Sequence, residues 1–245
     1  LDLCIGGLQQ VVLNLCRSAD RSKYSLSVLC LRERGKLAPE FEKIGVPVFQ
    51  VPKKGKGTNY FAFLEVAKIL RHQKIQILHT HNTDPFVDGT LGGLLSGVRT
   101  IVHTDHARDF PDTRRRMCLE WIMSHFAHRV VGVSTHTADN LHNYERISRK
   151  KIDVIPNGVD GSRFRISIDT ERKRKTLGLT AQDVVIGIGV RLTEQKGITY
   201  LLKALPQVIS QHPNTKLLIA GEGPLGSELR QEAVELGLSD NVMFL

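Results

Sequence analysis

Aromatic side chains are scarce, 6% of 245 residues with a single Trp. So few π-faces count against a surface that stacks bases, and the sequence carries no nucleic-acid-binding motif, so no nucleic-acid partner is expected. No apolar run approaches the roughly 18–20 residues that span a bilayer. The opening LDLCIGGLQQ lacks the basic leader and long apolar segment of a secretory signal. Starting at Leu1 and stopping at NVMFL, the chain reads as cut at both ends. Its four cysteines, Cys4, Cys16, Cys30 and Cys118, show no Cys-x-x-Cys or other metal-ligand spacing. Each sits among apolar residues as a small hydrophobe, and a reduced cytoplasmic compartment is the economical expectation. Negative charge is also in short supply. The net charge of +9 favours anionic partners: phosphorylated ligands, acidic lipid or nucleic acid.

What is present is alternation. Strand-like runs at 24–31, 46–51, 75–80, 100–104, 129–134 and 152–155 alternate with helical spacing at 8–20, 36–44, 60–73, 84–96, 113–128 and 135–143. The pattern pauses at IPNGVDGSRFRISIDTERKRK, rich in turn residues and charge, then resumes with strands at 184–190, 216–220 and 241–245 around helices at 198–211 and 225–236. Such alternation predicts an α/β protein with parallel sheets. The expected organisation is a first domain over 1–160, a linker over 161–180 and an incomplete second domain over 181–245. Open sheets of this kind bind ligands beyond the carboxyl ends of their strands, where the most reactive residue types here collect.

Each collection has a functional and a plain reading. Gly6 and Gly7 open a helix whose free N–H groups suit a phosphate, or simply make a turn. Arg191 and Lys196, in the loop after the strand 184–190, suit a diphosphate, or are solvated charge. GEGPLG at 221–226 fits G-x-G-x-x-G, but lies in the second βα unit of its domain and has Pro224 at the fourth position. His79, His81, His103 and His106 end neighbouring strands. They could begin a divalent-metal site, although no further ligand cluster follows, or supply one functional imidazole among structural ones. Arg114, Arg115 and Arg116 precede a helix bearing Trp121, which could dock on acidic lipid headgroups or pack on the sheet.

Taken together, GGLQQVVLNL, HTHN, HTDHAR, VVGVST, VIPNGVD, GVRLTEQKGITYLLKA and LLIAGEGP resemble, in order and spacing, the family-four glycosyltransferases. These are retaining, nucleotide-sugar-dependent enzymes of the GT-B architecture. The resemblance implies two Rossmann-like domains facing each other across a cleft. It implies a UDP- or GDP-linked sugar as donor, with no metal or other cofactor, and a polysaccharide, lipid-linked or other acceptor. Gly6, Gly7, Arg191, Lys196, Gly221 and Glu222 would then serve the donor. Arg191 and Lys196 would stabilise the leaving diphosphate, and His106 would reach the transferred sugar. His81, Asp105, Arg108 and Asp109 are expected on the acceptor side, and Arg114, Arg115, Arg116 and Trp121 against an acidic membrane surface at the inner face of a membrane. The family's two-glutamate donor signature would fall beyond Leu245 and most of the first strand before Leu1, so this stretch is expected to be inactive alone. Two other readings remain: a metal-dependent hydrolase built on His79, His81, His103 and His106, and a non-catalytic anion-binding module.

Overall fold

The computed structural model describes residues 2–52, 59–106, 111–165 and 167–245. They form two compact units, Leu1–Phe164 and Arg165–Leu245.

Unit 1 strings together α1 (Gly7–Ser18), β1 (Val28–Cys30), α2 (Ala38–Lys43), β2 (Val48–Gln50), α3 (Ala62–His72), β3 (Ile77–His81), α4 (Thr83–Ser96), β4 (Thr100–Asp105), α5 (Arg114–Phe126), β5 (Arg129–Gly132), α6 (Thr135–Asn143) and β6 (Ile152–Val154). All pairings are parallel, but the strands fall into two sheets, β1-β2 and β3-β4-β5-β6. Among the described residues β1 pairs only with β2 and β3 only with β4. Both strands line one cavity of about 780 Å³, roofed by Leu8 and Val12 of α1 and by Val66 and Leu70 of α3. The apolar packing is divided in the same way. One cluster joins Leu13, Phe41 and Val46 beside β1-β2. A second joins Phe86, Ile101, Val130 and Leu141 within the larger sheet, and a small third joins Val51, Val66 and Leu70.

α4 can lie directly on β3 because its buried face is small. A Cβ on Gly89 would stand 2.7 Å from Thr80 Cγ2 of β3, and one on Gly92, on the side toward α3, would stand 2.6 Å from Val66 Cγ1. Close helix–strand contact here fixes the end of β3, where the histidines stand.

Unit 2 comprises α7 (Thr170–Thr176), β7 (Val184–Gly189), α8 (Ile198–Gln211), β8 (Thr215–Ala220), α9 (Gly226–Glu235) and β9 (Val242–Phe244). Its sheet is continuous in the order β7-β8-β9. One core holds it, with Leu202 and Leu205 of α8, Leu217 and Ile219 of β8 and Leu229 of α9 almost wholly buried. Burying a leucine or isoleucine side chain stabilises by about 1.5–3 kcal/mol, enough for this cluster to organise a small sheet.

Residues 161–180, expected as a linker, carry α7 and bury Leu179. The helix forms without an apolar stripe because Asp169 caps it, its side chain accepting from Arg172 N at 3.0 Å. Its last turn places Lys173, Arg174 and Lys175 against the negative end of the helix dipole.

Candidate active site

In unit 1 the chemistry gathers where β3 and β4 end. Register sets His81 beside Thr104, Thr80 beside His103 and His79 beside Val102. Because side chains alternate across a strand, the four histidines divide between the faces. On the face covered by α4, His103 is buried, Thr80 Oγ1 lies 2.9 Å from its Nδ1, and Phe86 stacks on its ring at 3.9 Å. A ring so enclosed is structural. On the other face, His79 Nε2 meets Thr104 Oγ1 at 2.7 Å, the His79 and His81 rings lie 4.2 Å apart, and His81 Nδ1 stands 3.1 Å from His106 Nε2.

Burial is the main cause holding these three imidazoles below their ordinary pKa: His79 to about 4, His81 well below its usual value, and His106 in the same direction. His79 lines the cavity and keeps an exposed surface, while the surrounding protein and the nearby His106 depress its titration. At neutral pH the group is therefore uncharged, with one nitrogen of each ring a donor and the other an acceptor.

Asn82 turns the chain from β3 into α4 with φ 63 and ψ 169, a strained conformation for any residue but glycine. Its amide donates to Thr104 O at 3.2 Å and its carbonyl accepts from Phe86 N at 3.0 Å, so both strand ends are fastened together. Two carboxylates follow on α4. Asp84 pairs with Arg32 at 3.5 Å, and burial, reinforced by Asp84, raises Asp88 to about 6. Asp105, expected on the acceptor side, is wholly buried at the end of β4. Arg108 and Asp109 lie outside the described residues. Among the described residues no group of three or more His, Cys, Asp or Glu side chains is placed to hold a metal ion.

Gly6 and Gly7 begin α1, with Gly6 extended and no side chain capping the turn. A Cβ on Gly7 would meet nothing within 4 Å. The first turn carries no acidic residue, leaving its N–H groups and the positive end of the dipole open to an anion.

In unit 2, Arg191 and Lys196 both lie exposed in the segment between β7 and α8, with no ion pair among the described residues. The segment is packed at its base. Leu192 is buried, Gly197 takes a positive φ of 63 into α8, and Leu192 N donates to Glu222 O at 3.0 Å. That last bond also gives Gly221 and Gly223 a part in packing. A Cβ on Gly221 would stand 2.0 Å from Val190 O, and one on Gly223 would stand 2.2 Å from Leu192 O. These glycines let two loops of the same sheet end lie backbone to backbone, so Gly221 serves packing of the cationic segment. The Glu222 side chain is exposed beside it.

α5 is turned inside out. Glu120, Met123 and Ser124 are buried, while Trp121 (43% exposed), Ile122 and Phe126 face outward with Arg114, Arg115 and Arg116. Packing on the sheet, expected for its apolar residues, holds for Met123 and fails for these three.

Two α/β units with parallel sheets, reactive side chains at the carboxyl ends of β3 and β4 and cations after β7 define a ligand-binding doubly wound class. Residues 5–163 match Glycosyltransferase Family 4 and residues 169–245 match Glycosyl transferases group 1. The chain belongs to the family-four glycosyltransferases. It is 28% identical over 244 residues to the UDP-Gal:alpha-D-GlcNAc-diphosphoundecaprenol alpha-1,3-galactosyltransferase of Escherichia coli, covering 92% of this chain and 61% of that enzyme. It is 25% identical to the phosphatidylinositol N-acetylglucosaminyltransferase gpi3 subunit of Schizosaccharomyces pombe, covering 98% of this chain and 53% of that protein. The chain thus spans little more than half the length of these two relatives. Among solved structures, Anabaena Alr3699/HepE in complex with UDP superposes with a TM-score of 0.81 at 21% identity, over 98% of this chain and 65% of that one. This likeness establishes the GT-B fold.

Neither the geometry nor the relatives favour the metal-dependent hydrolase. The nitrogens of His81 and His106 face each other at hydrogen-bond distance, and His103 is on the opposite side of the sheet. The coupling of β3 to β4 through His79 and Thr104, and the strain at Asn82, went unread in the sequence. The Asn before a helical run was the available signal.

Proposed function

We propose that the full protein transfers a sugar from a nucleoside-diphosphate sugar, UDP- or GDP-linked, to a polysaccharide or lipid-linked acceptor, with retention of configuration. The observation that carries this reading is the pair of exposed cations Arg191 and Lys196, without an ion pair among the described residues, on a segment braced by Leu192 and the 221–223 backbone. As the bond between anomeric carbon and phosphate oxygen breaks, negative charge grows on the diphosphate. A fixed guanidinium and ammonium stabilise that charge more than the ground state. His106 is neutral at working pH and offers a hydrogen bond to the transferred sugar without competing for the diphosphate. The open first turn of α1 is a second place for phosphate oxygens. No metal enters this account, because the two cations supply the charge.

The test is a panel of UDP- and GDP-sugars with the full chain. Arg191→Ala and Lys196→Ala should each lower kcat about 10²- to 10³-fold, the scale of removing one fixed transition-state donor. Circular dichroism should be unchanged. Wild-type turnover in either variant would remove the assigned roles.

A membrane-surface location at the inner face of a cytoplasmic membrane is the second part of this proposal, favoured by α5. Three arginines at a helix N-terminus oppose the dipole, a placement that an anionic surface relieves. The adjoining Trp121, Ile122 and Phe126 supply apolar area for the headgroup boundary. Flotation with vesicles containing phosphatidylglycerol should carry the protein up. Zwitterionic vesicles should not, nor should Trp121→Ala/Ile122→Ala protein bind; equal recovery in all three would refute the location.

A further inference from the structure

His81 sits between two other imidazoles, and each contact is of a different kind. On one side its ring lies tilted against that of His79, centroids 4.2 Å apart, and His79 is itself tied to Thr104 Oγ1 at 2.7 Å. On the other side its Nδ1 faces His106 Nε2 at 3.1 Å. The run Thr104–His79–His81–His106 therefore leaves β4, crosses to β3 and returns to the end of β4. His81 belongs to a strand held in register by its ladder, whereas His106 lies just past β4. Among the described residues the His81 contact is the one side-chain hydrogen bond His106 makes.

Two nitrogens at that distance share one proton. If His81 donates from Nδ1, His106 accepts at Nε2 and must carry its own proton on Nδ1. If His106 donates from Nε2, its Nδ1 is bare and can only accept. Whether the free Nδ1 of His106 donates or accepts is thus tied to the tautomer of its partner. We propose that His81 is a positioning residue for His106, holding its ring in one orientation and in one tautomer so that the two imidazoles handle protons as a unit. The nearby titratable groups are His79 on the other side of His81, His103 across the sheet, and the buried carboxylate of Asp105 next to His106 in sequence. The pairing stands on this geometry alone; its consequence for turnover rests on the glycosyltransferase reading.

The experiment is long-range ¹H–¹⁵N spectroscopy of histidine-labelled protein, first on this chain. In the wild type, His106 should show a single tautomer, and the two rings should shift together on titration. In His81→Phe, the His106 nitrogens should move to the averaged shifts of a free imidazole and the titration midpoint by about one pH unit, the scale at which two sites count as coupled. His81→Asn places an amide near the lost Nδ1 and should restore the single tautomer. The reciprocal variant His106→Ala should release His81 in the same way. This decides the matter if His81→Phe does not fold. Unchanged His106 signals in folded His81→Phe, or unchanged His81 signals in His106→Ala, would overturn the pairing.

In the full chain, His81→Phe should lower kcat roughly 10- to 100-fold, as displacement of a reacting group does, with KM little changed and His81→Asn largely restored. Absence of any sugar transfer by wild-type protein, alongside coupled spectra, would sink the transferase reading and leave the pairing standing. Normal kcat in His81→Phe would sink the positioning role.

Discussion

In unit 2 the strand β8 has a hydrogen-bonded neighbour on each side, and both helices packed on the sheet share one apolar core. In unit 1 the strands β1 and β3 line a common cavity without pairing, and the apolar residues divide among three clusters. Polar chemistry is divided just as unevenly. Nine of the ten histidines, all but His212, belong to unit 1. The difference teaches how each unit holds its working groups. Unit 2 fixes Arg191 and Lys196 by backbone contact and leaves their side chains exposed. Unit 1 sets His79, His81 and His106 against one another at the ends of β3 and β4, with only His106 of the three buried from solvent.

The contrast can be broken most decisively at Gly221. Alanine there would drive a Cβ to 2.0 Å from Val190 O. We expect unfolding in urea to show a loss of about 3–5 kcal/mol, the range reserved for backbone clashes and cavities, with exchange protection falling in unit 2 peptides. A loss under 1 kcal/mol would mean the two loops are not sewn together as described. The next test pairs two leucines. Leu217→Ala, in the middle of β8 and fully buried, should cost about 2–5 kcal/mol. Leu15→Ala, on α1 at the cavity and 50% exposed, should cost about 0.5 kcal/mol, as surface changes do. Equal costs would erase the difference in packing.

Acid should act on unit 1 before unit 2. His79, His81 and His106 are held below the ordinary histidine value near 6.5, so the unfolded chain binds protons that the folded one refuses. Stability contributed by their neutrality is present above 6.5 and is lost as pH falls toward about 4 for His79. Asp88, raised to about 6, works the other way and offsets part of the loss. In unit 2, Asp183 is lowered by the Thr180 backbone amide, so its contribution disappears only below the usual carboxylate range. Hydrogen exchange at pH 6.5 and 4.5, corrected for intrinsic rates, should show unit 1 peptides losing protection first; parallel losses would contradict the assignment. The smallest effect is expected at Gly7→Ala, where nothing lies within 4 Å. Stability should change by less than about 1 kcal/mol, with alanine the better helix former.

The alternation of strands and helices was legible because buried strands and amphipathic helices have different periods. The helices at 135–143 and 198–211 fall where their spacing placed them. β1 and β2 are only three residues each, shorter than the runs at 24–31 and 46–51, since residues with strand propensity stay outside a ladder that offers no partner. α7 escaped notice because TERKRKT has no apolar period; Asp169 was the readable sign. The site was legible as residue types at strand ends, and the cations after β7 were found by that rule. The pairing of His81 with His106 was not, because it depends on a register between residues 25 apart. The inverted α5 could not be read from composition, as Trp121 and Met123 are both apolar and only the fold decides which faces inward.

The outward face of α5 also sets the colloidal character of the protein. Trp121, Ile122 and Phe126 stand exposed side by side with three arginines, and exposed apolar patches are where molecules associate. In dilute, low-salt solution the net charge of +9 keeps molecules apart. At 0.15 M salt that repulsion reaches only about 8 Å. Light scattering should therefore climb with concentration and with salt together, and low ionic strength is the condition under which stocks of this chain keep.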